Sequence, residues 1–431
     1  MQRHCLSGHY ESITETTVSL RFIMRVLTLP FLALLLTNAQ AFDYDATQWF
    51  KGNTHTHSLW SDGNDFPEMI IDWYKTRGYD FLALTDHNVL QEGEKWMDLA
   101  AIKKRQRAIG RNAVSKCVAR FGEDWIQWET REDKKGIIMK TLEQCRAKFE
   151  EPGKFYLLPA EEVSNTASKK PVHINALNLS GVVPAVKDDE APVADVMQRS
   201  FELIEDHGKK SGKPVLAHLN HPNFQWAVTA DDLARVALGG YMEVYNGHPG
   251  INHLGDETRP GDEKIWDIAN TIRLAELDKA PLYGVATDDS HTYHGGDVSP
   301  GRGWVVVGAE ELGGDAIVHA MKAGKFYASS GVELESIAFD NENGKLKIRM
   351  RKVEGVTYRT AFIGTRKGYD ATAEETGIGE VFASIEGNTA AFTIPTDALY
   401  LRATIHSSRR HPNPSYPDQK EQAWVQPVGW K

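Results

Sequence analysis

The sequence predicts an α/β fold followed by a β-rich tail. Short apolar strands alternate with amphipathic helices as far as Gly331, and beyond it helical texture gives way to β-formers spaced by turn residues. His, Asp and Glu also recur where the predicted strands end. The 431 residues allow two domains and a full core.

Arg21 and Arg25 precede an apolar run, Val26 to Thr37, which ends in Ala39-Gln40-Ala41. This is the pattern of a secretory signal. It predicts an exported protein, periplasmic or secreted, with a mature start near Phe42 and no membrane span in the mature chain. Met24 makes the better start, which leaves 1–23 as an upstream misassignment and 1–41 as leader and signal. An uncleaved anchor is the alternative.

The stretch from Asn53 to Asn88 reads as strand, helix, strand. Pro67 to Arg77 is the helix, with proline in its first turn, an apolar face of Ile70, Ile71 and Tyr74, and Gly78 as the stop. Phe81 to Leu84 is a buried parallel strand. Such a unit brings the carboxyl ends of both strands to one edge. His55, His57, Asp62, Asp86 and His87 therefore gather there, with His55 and His57 on one strand face. A lone H-x-H is commonly accidental, and Asp86-His87 also suits a turn with a helix cap. Together on one unit they predict a metal site of Zn, Mn or Fe type.

Leu90 to Glu151 reads as an insertion of two or three helices, and the Lys103–Arg111 charge run is a solvated face. Trp125 and Trp128 are either core or pocket residues. Cys117 and Cys145, both in this insertion, are compatible with a disulfide in an exported protein or with two buried thiols. Phe155 to Ser164 is a strand ending in Glu161 and Glu162, and Val172 to Leu179 is a strand opening on His173. A helix spans Asp195 to Lys209, and a strand from Lys213 runs into His218 and His221. Tyr241 to Asn246 is a strand with Glu243 and Asn246 near its end, followed by a loop carrying His248 and His253. A helix over Trp266 to Asp278 leads to a strand over Leu282 to Thr287, which delivers Asp288, Asp289 and His291. Arg302 precedes a strand from Trp304 to Val307, and Ala316 to Ala323 is helical. In the tail, strands are expected at 336–340, 345–351, 357–363, 380–385, 389–394 and 399–405. Asn343-Gly344 and Gly387-Asn388 are hairpin signals.

The run H-x-H, S-D-G, T-D-H-N resembles the opening signature of the PHP (polymerase and histidinol phosphatase) domain, nearest its carbaryl-hydrolase-like branch. The likeness runs from about Lys51 to Gly331, apart from one poorly matching insertion. It implies a distorted (β/α)7 barrel, TIM-like, over 42–331, with the helical insertion at 90–151 and a C-terminal β-sandwich over 332–431. It also implies two or three divalent ions (Mn, Zn or Fe) at the strand carboxyl ends. One ion takes His55, His57, Glu162 and Asp289. A second shares Glu162 and adds His173 with His221 or His218, the N-H-P spelling favouring His221. A third takes Asp62, His87 and His291. Glu162, Asp289 and His291 are the expected catalytic groups, around a hydroxide bridging the metals.

Arg302, as a fork for phosphate or carboxylate, and His248 are candidate substrate contacts, although simple exposure fits either. The net charge of −10, with no basic block to offset it, argues against a nucleic-acid surface and leaves a small anionic molecule as the expected partner. The expected function is a metal-dependent phosphoesterase. Carbamate or carboxylic ester hydrolysis on the same metals is the alternative, and a ligand-binding module without turnover is a third class. No Gly-x-Ser-x-Gly suggests a covalent route.

Overall fold

The computed structural model describes residues 42–43, 48–105, 112–293, 300–372 and 376–430. The expected signal at 1–41 and the end of the charge run at 106–111 lie outside the described residues. The elements before the insertion are β1 (Phe42–Asp43), β2 (Gln48–Asn53), α1 (Pro67–Lys75) and β3 (Phe81–Leu84). The insertion holds β4 (Trp96–Asp98), α2 (Leu99–Arg105), α3 (Ala113–Phe121), β5 (Gln127–Arg131), β6 (Lys134–Ile138) and α4 (Leu142–Phe149). Next come β7 (Tyr156–Ala167), β8 (Lys170–Leu177), β9 (Lys187–Asp188), α5 (Val193–Ser211), β10 (Leu216–Leu219), α6 (Ala230–Arg235), β11 (Tyr241–Asn246), α7 (Asp262–Ala275), β12 (Tyr283–Thr287), β13 (Trp304–Ala309), α8 (Gly314–Lys322) and β14 (Phe326–Ser329). The tail carries β15 (Leu334–Asp340), β16 (Lys345–Met350), β17 (Tyr358–Arg366), β18 (Glu380–Glu386), β19 (Thr389–Thr393), β20 (Ala398–Arg410) and β21 (Lys420–Val428). No helix among the described residues is long and apolar enough to cross a membrane.

One large sheet runs β12-β11-β10-β8-β7-β3-β2-β13-β14-β21-β20-β17-β18. The pairs β2–β3, β3–β7, β10–β11 and β11–β12 are parallel, whereas β7–β8, β8–β10 and β2–β13 are antiparallel. The reversal at β7–β8 is a hairpin through Ser168 and Lys169, both with positive φ (49° and 60°). The sheet curls on itself. Phe326 of β14 meets Tyr241 of β11 and Tyr283 of β12 at ring distances of 6.2 and 6.0 Å, although these strands are far apart in sheet order. Inside the curl pack Phe50, Phe81, Leu158, Leu177, Leu216, Val285, Val305 and Val307. Yet no ladder joins β12 to β13 among the described residues; near that gap there is a single parallel bridge, Thr56–Ser290. The ladders thus form a mixed, curled sheet, in which the expected distorted barrel is unclosed between β12 and β13 among the described residues.

The interior changes from apolar to polar along each strand. Ala160, Leu177 and Leu216 lie in one layer, and Glu162, Asn175 and His218 lie one alternation further on, paired side by side. Outside, α5 buries Val196, Met197, Phe201 and Ile204 against Val163, Val172 and Ile174. α1 buries Ile70, Ile71 and Tyr74, the face the sequence indicates.

One expectation for the insertion changes and one open alternative is decided. Its three helices are accompanied by an antiparallel sheet, β4-β6-β5. The β5–β6 turn, Glu132-Asp133, takes φ of 48° and 62°, a hairpin hidden by charged residues where Asn-Gly would have announced it. Cys117 and Cys145 are free, buried thiols; each packs in a different core cluster, so no bridge ties the helices.

In the tail, β15, β16 and β19 form a second sheet with β1. Ile337, Phe339, Leu346 and Ile348 of that sheet share a core with Phe362, Leu401, Ala403, Ile405 and Val425 of the large one. Asn343-Gly344 does turn a hairpin, β15–β16. Gly387-Asn388 instead carries the chain from β18 in one sheet to β19 in the other. Arg402 of β20 is 1 % exposed and reaches α7. It gives two bonds to the Asp267 carboxylate (2.7 and 2.6 Å) and one to Glu263 (2.8 Å). Removing it leaves the buried Asp267 carboxylate, and the part-buried Glu263 beside it, without their cation. Arg402→Met is therefore expected to cost about 3–5 kcal/mol, read as a shift in urea midpoint; a loss below about 1 kcal/mol would place the network at the solvated extreme and contradict its burial.

Candidate metal centre

The cluster grows from just past the ends of β2, β3, β10 and β12, together with Glu162 midway along β7 and His173 within β8. β2 ends at Asn53, so His55 and His57 lie just past the strand instead of on it. Their backbone stays extended because Asp289 N bonds to His55 O (3.0 Å) and His57 N to Ser290 O (2.9 Å). The S-D-G loop then folds back so closely that a Cβ on Gly63 would stand 2.4 Å from His57 O. Asp86 holds this loop: its carboxylate accepts from Ser58 N (2.7 Å), Ser58 Oγ (2.7 Å), Ser61 Oγ (2.6 Å) and Gln91 Nε2 (2.8 Å). Asp86 is thus a brace for Asp62 and stands outside the ligand groups.

Four overlapping groups of ligand atoms converge: His57, Asp62, His87 and His291; His55, His57 and Glu162; His55, His221 and Asp289; His87, Glu162 and His173. His55 Nε2 lies 3.4 Å from Glu162 Oε1 and 3.2 Å from Asp289 Oδ1. His57 Nε2 lies 3.4 Å from Glu162 Oε2 and 3.3 Å from Asp289 Oδ1. Glu162 Oε1 is 3.0 Å from His173 Nδ1 and 3.4 Å from His221 Nε2. Asp62 is 3.4 to 3.5 Å from His57, His87 and His291. Most of these spacings exceed a good hydrogen bond. Two ligands each about 2.1 Å from one cation, at a tetrahedral angle, stand about 3.4 Å apart. His55 Nε2 and His57 Nε2 are buried without a hydrogen-bond partner. The residues fit divalent ions.

Charge tells the same story. Burial disfavours ionisation of Glu162, but His173, His87 and His55 hold its pKa well below the ordinary range. Asp289 is held down likewise by His55, His57 and His291. Burial opposes protonation of His87, yet Glu162 and Asp62 bring it up to about 11; burial and neighbouring His291 hold His57 down at about 4. Two buried anions thus collect positive charge that cations supply with the imidazoles neutral.

Beneath lies a supporting layer that the motifs did not reveal. Glu243 is fully buried; its Oε1 is 2.7 Å from His55 Nδ1 and its Oε2 accepts from His221 N (2.7 Å). A single carboxylate in the otherwise apolar strand Tyr241–Asn246 was the available signal. Asn220 Nδ2 gives 2.8 Å bonds to Glu162 and Asn175, and Ser164 Oγ lies 2.6 Å from His87 Nδ1. Such partners fix ring orientation and ligand basicity. Asn88, His221 and Asp289 take φ of 53°, 26° and 47°, backbone strain gathered at the site.

His221 stands in the cluster; His218 is fully buried, paired beside Asn175 in the layer of Glu162, and joins no ligand group among the described residues. Glu161 points away, accepting from Val183 N, and burial raises it to about 7. Asp288 also stands apart, accepting from Tyr74 and the backbone of 301–303. Arg302 needs correction. It is buried, and its guanidinium bonds Gly247 O (2.8 Å) and Asn413, away from the cavity lining where a substrate anion would sit. His248 does line the cavity, with its ring 5.5 Å from His291. His253 faces Asp262 and Tyr416 instead. Trp125 and Trp128 pack against the core that joins the insertion to Leu59, Trp60 and Phe66, and Trp125 Nε1 donates to Glu68 of α1 (2.9 Å).

The cavity over the cluster has a volume of about 300 Å³, and Phe224 and Ile251 join the ligands in lining it.

No family model matches the chain, and no curated protein matches it. Among solved structures, a two-domain Bacteroides vulgatus protein containing a predicted PHP-like metal-dependent phosphoesterase is similar at 15% identity, covering 90% of this chain and 98% of that one (TM-score 0.39). A Bifidobacterium adolescentis protein assigned as a metal-dependent phosphoesterase is 13% identical, covering 57% and 87% (TM-score 0.26). A Chromobacterium violaceum amidohydrolase with bound sulfate and no metal is 15% identical, covering 56% and 87% (TM-score 0.24). Likenesses so remote leave the site to stand on its own geometry.

Glu162→Gln is expected to remove at least one ion per chain by elemental analysis, and Glu243→Gln to weaken metal binding roughly 10–100-fold; unchanged content and affinity in both would count against the shared site. Metal must displace protons from His55, His87, His221 and His291, whose pKa values are raised in the metal-free protein. Affinity should therefore rise with pH, by roughly tenfold or more from about pH 5.5 to 7.5, with proton release visible in calorimetry. Flat affinity across that range contradicts it.

Proposed function

We propose that this protein is an exported metal-dependent phosphoesterase working from two or three divalent ions, Mn, Zn or Fe. The convergence of ligand atoms at 3.2 to 3.4 Å, with two buried imidazole nitrogens left without a hydrogen-bond partner, carries the reading. His55, His57, Glu162 and Asp289 would hold one ion, Glu162 with His173 and His221 a second, and Asp62, His87 and His291 a third. Bound there, the ions would acidify a water and neutralise developing charge on phosphate oxygens.

This chain's residues supply the rest. Glu162 belongs to two of the ligand groups and is pinned by Asn220, so its buried carboxylate would be held ready to serve both ions. Asp289, beside His55 and His57, closes the cluster from the opposite strand. His248 lines the cavity 5.5 Å from the ring of His291 and stands outside the ligand groups, so its imidazole is the one that can hold or pass a proton at a substrate oxygen. Export rests on the run Val26 to Thr37 and the Ala39-Gln40-Ala41 that follows it.

Hydrolysis of a carbamate or carboxylic ester is a second reading, favoured by the apolar contributions of Phe224 and Ile251 to the cavity. Purified protein reloaded with Mn²⁺, Zn²⁺ or Fe²⁺ is expected to hydrolyse a phosphomonoester or phosphodiester faster than an aryl ester or carbamate, and to lose activity to a chelator. The reverse order moves the assignment to the second reading. No turnover with any metal would leave a binding module.

A further inference from the structure

Phe224 and Ile251 stand on two loops that the fold clasps together. Phe224 follows His221 in the turn after β10, and Ile251 follows His248 in the turn after β11. Between them Asn223 Nδ2 donates to Asn252 O (3.1 Å) and Pro260 O (2.9 Å), and Asn252 Nδ2 returns a bond to Asn223 O (3.0 Å). The first loop is wound tightly: His221, Gln225 and Trp226 all have positive φ (26°, 52° and 54°). Arg259 lies 3.6 Å over the Trp226 ring and ties the second loop to the first from outside. Arg302 holds the second loop's origin through Gly247 O. Phe224 itself is half-buried, its ring 5.2 Å from that of His221. Strain of this kind persists only where surrounding contacts over-determine it. Its product here is an aromatic face and an aliphatic side chain at a fixed distance from a metal ligand, lining the cavity.

We propose that Phe224 and Ile251 are specificity residues that receive a flat apolar ring of the substrate, while the atoms to be cleaved lie over the metal cluster. The substrate class is thus a small monoaryl ester, in the first instance a monoaryl phosphate. A space of about 300 Å³ is at the small end for ligand pockets and suits one ring with its phosphate. An aromatic face gains from an offset or edge-on ring partner, which a polyol or a sugar does not provide. This deepens the phosphoesterase reading and rests on it for the reacting group, but the ring preference can be measured without turnover.

The test is calorimetric binding of phenylphosphonate and methylphosphonate to the full-length, Mn²⁺-loaded protein. Phenylphosphonate is expected to bind at least tenfold tighter. Phe224→Ala and Ile251→Ala should each reduce that ratio, Phe224→Ala to about threefold or less, and Phe224→Leu should keep part of it, with metal content by elemental analysis unchanged in all three. A ratio near one in the unaltered protein, or one that survives both alanine variants, overturns the proposal. If either alanine variant fails to hold metal, the other and Phe224→Leu decide. Hydrolysis of phenyl phosphate is then scored separately. Ring preference without hydrolysis sinks the phosphoesterase reading and leaves this one standing; hydrolysis without ring preference does the opposite.

Discussion

Ionised Glu162 sits at 1 % exposure in the mouth of the curled sheet, and the architecture around it answers to that charge. Taking a carboxylate out of water costs several kcal/mol unless it is paired and hydrogen-bonded. Here the compensation comes from Asn220 and from imidazoles delivered by four separate segments, at His55 and His57, His87, His173 and His221. Each imidazole must arrive at the correct edge, which is why the strands that carry them turn polar one alternation past the apolar plug. The hairpin β7–β8 serves the same end, because an antiparallel partner lets His173 enter at the start of its strand, beside Ser164.

The supporting carboxylates extend this logic outward. Glu243 bridges His55 and the backbone of His221, so two ligands from distant strands share one anchor. Asp86 performs a comparable service for the loop of Asp62, without facing the cluster. Arg302 and Asn413 extend the bracing as far as the β20–β21 connection, whose Tyr416 stacks on His253 at 5.8 Å.

What was legible in the sequence follows from range. Helices α1, α5, α7 and α8 were visible within about two to four residues, because periodicity and first-turn proline are local signals. The buried run Phe81–Leu84 was equally plain. The positions His55, His57, Asp62, His87, Glu162, His173, His221, Asp289 and His291 came from strand ends and a resemblance to a signature, and the structure brings them together. Long-range facts were not legible. Whether Arg302 reaches a cavity or a carbonyl depends on Gly247 and Asn413, 55 and 111 residues away. The turns Ser168-Lys169 and Glu132-Asp133 adopt left-handed backbone without the glycine or asparagine that advertises it. Strand β21 escaped notice because Pro412, Pro414, Pro417 and a charged run precede its apolar stretch.

That overlooked strand has a consequence for how the molecule is assembled. β21 lies between β14 and β20, so among the described residues the ladders of the two regions of the large sheet are joined only through residues 420–428. No earlier segment among the described residues fills that slot: the edge of β14 beside Ser329 and Ser330 pairs with residues from near the end of the sequence. The large sheet is therefore continuous only with 420–428 inserted between β14 and β20, closed from within and not by growth at a free margin.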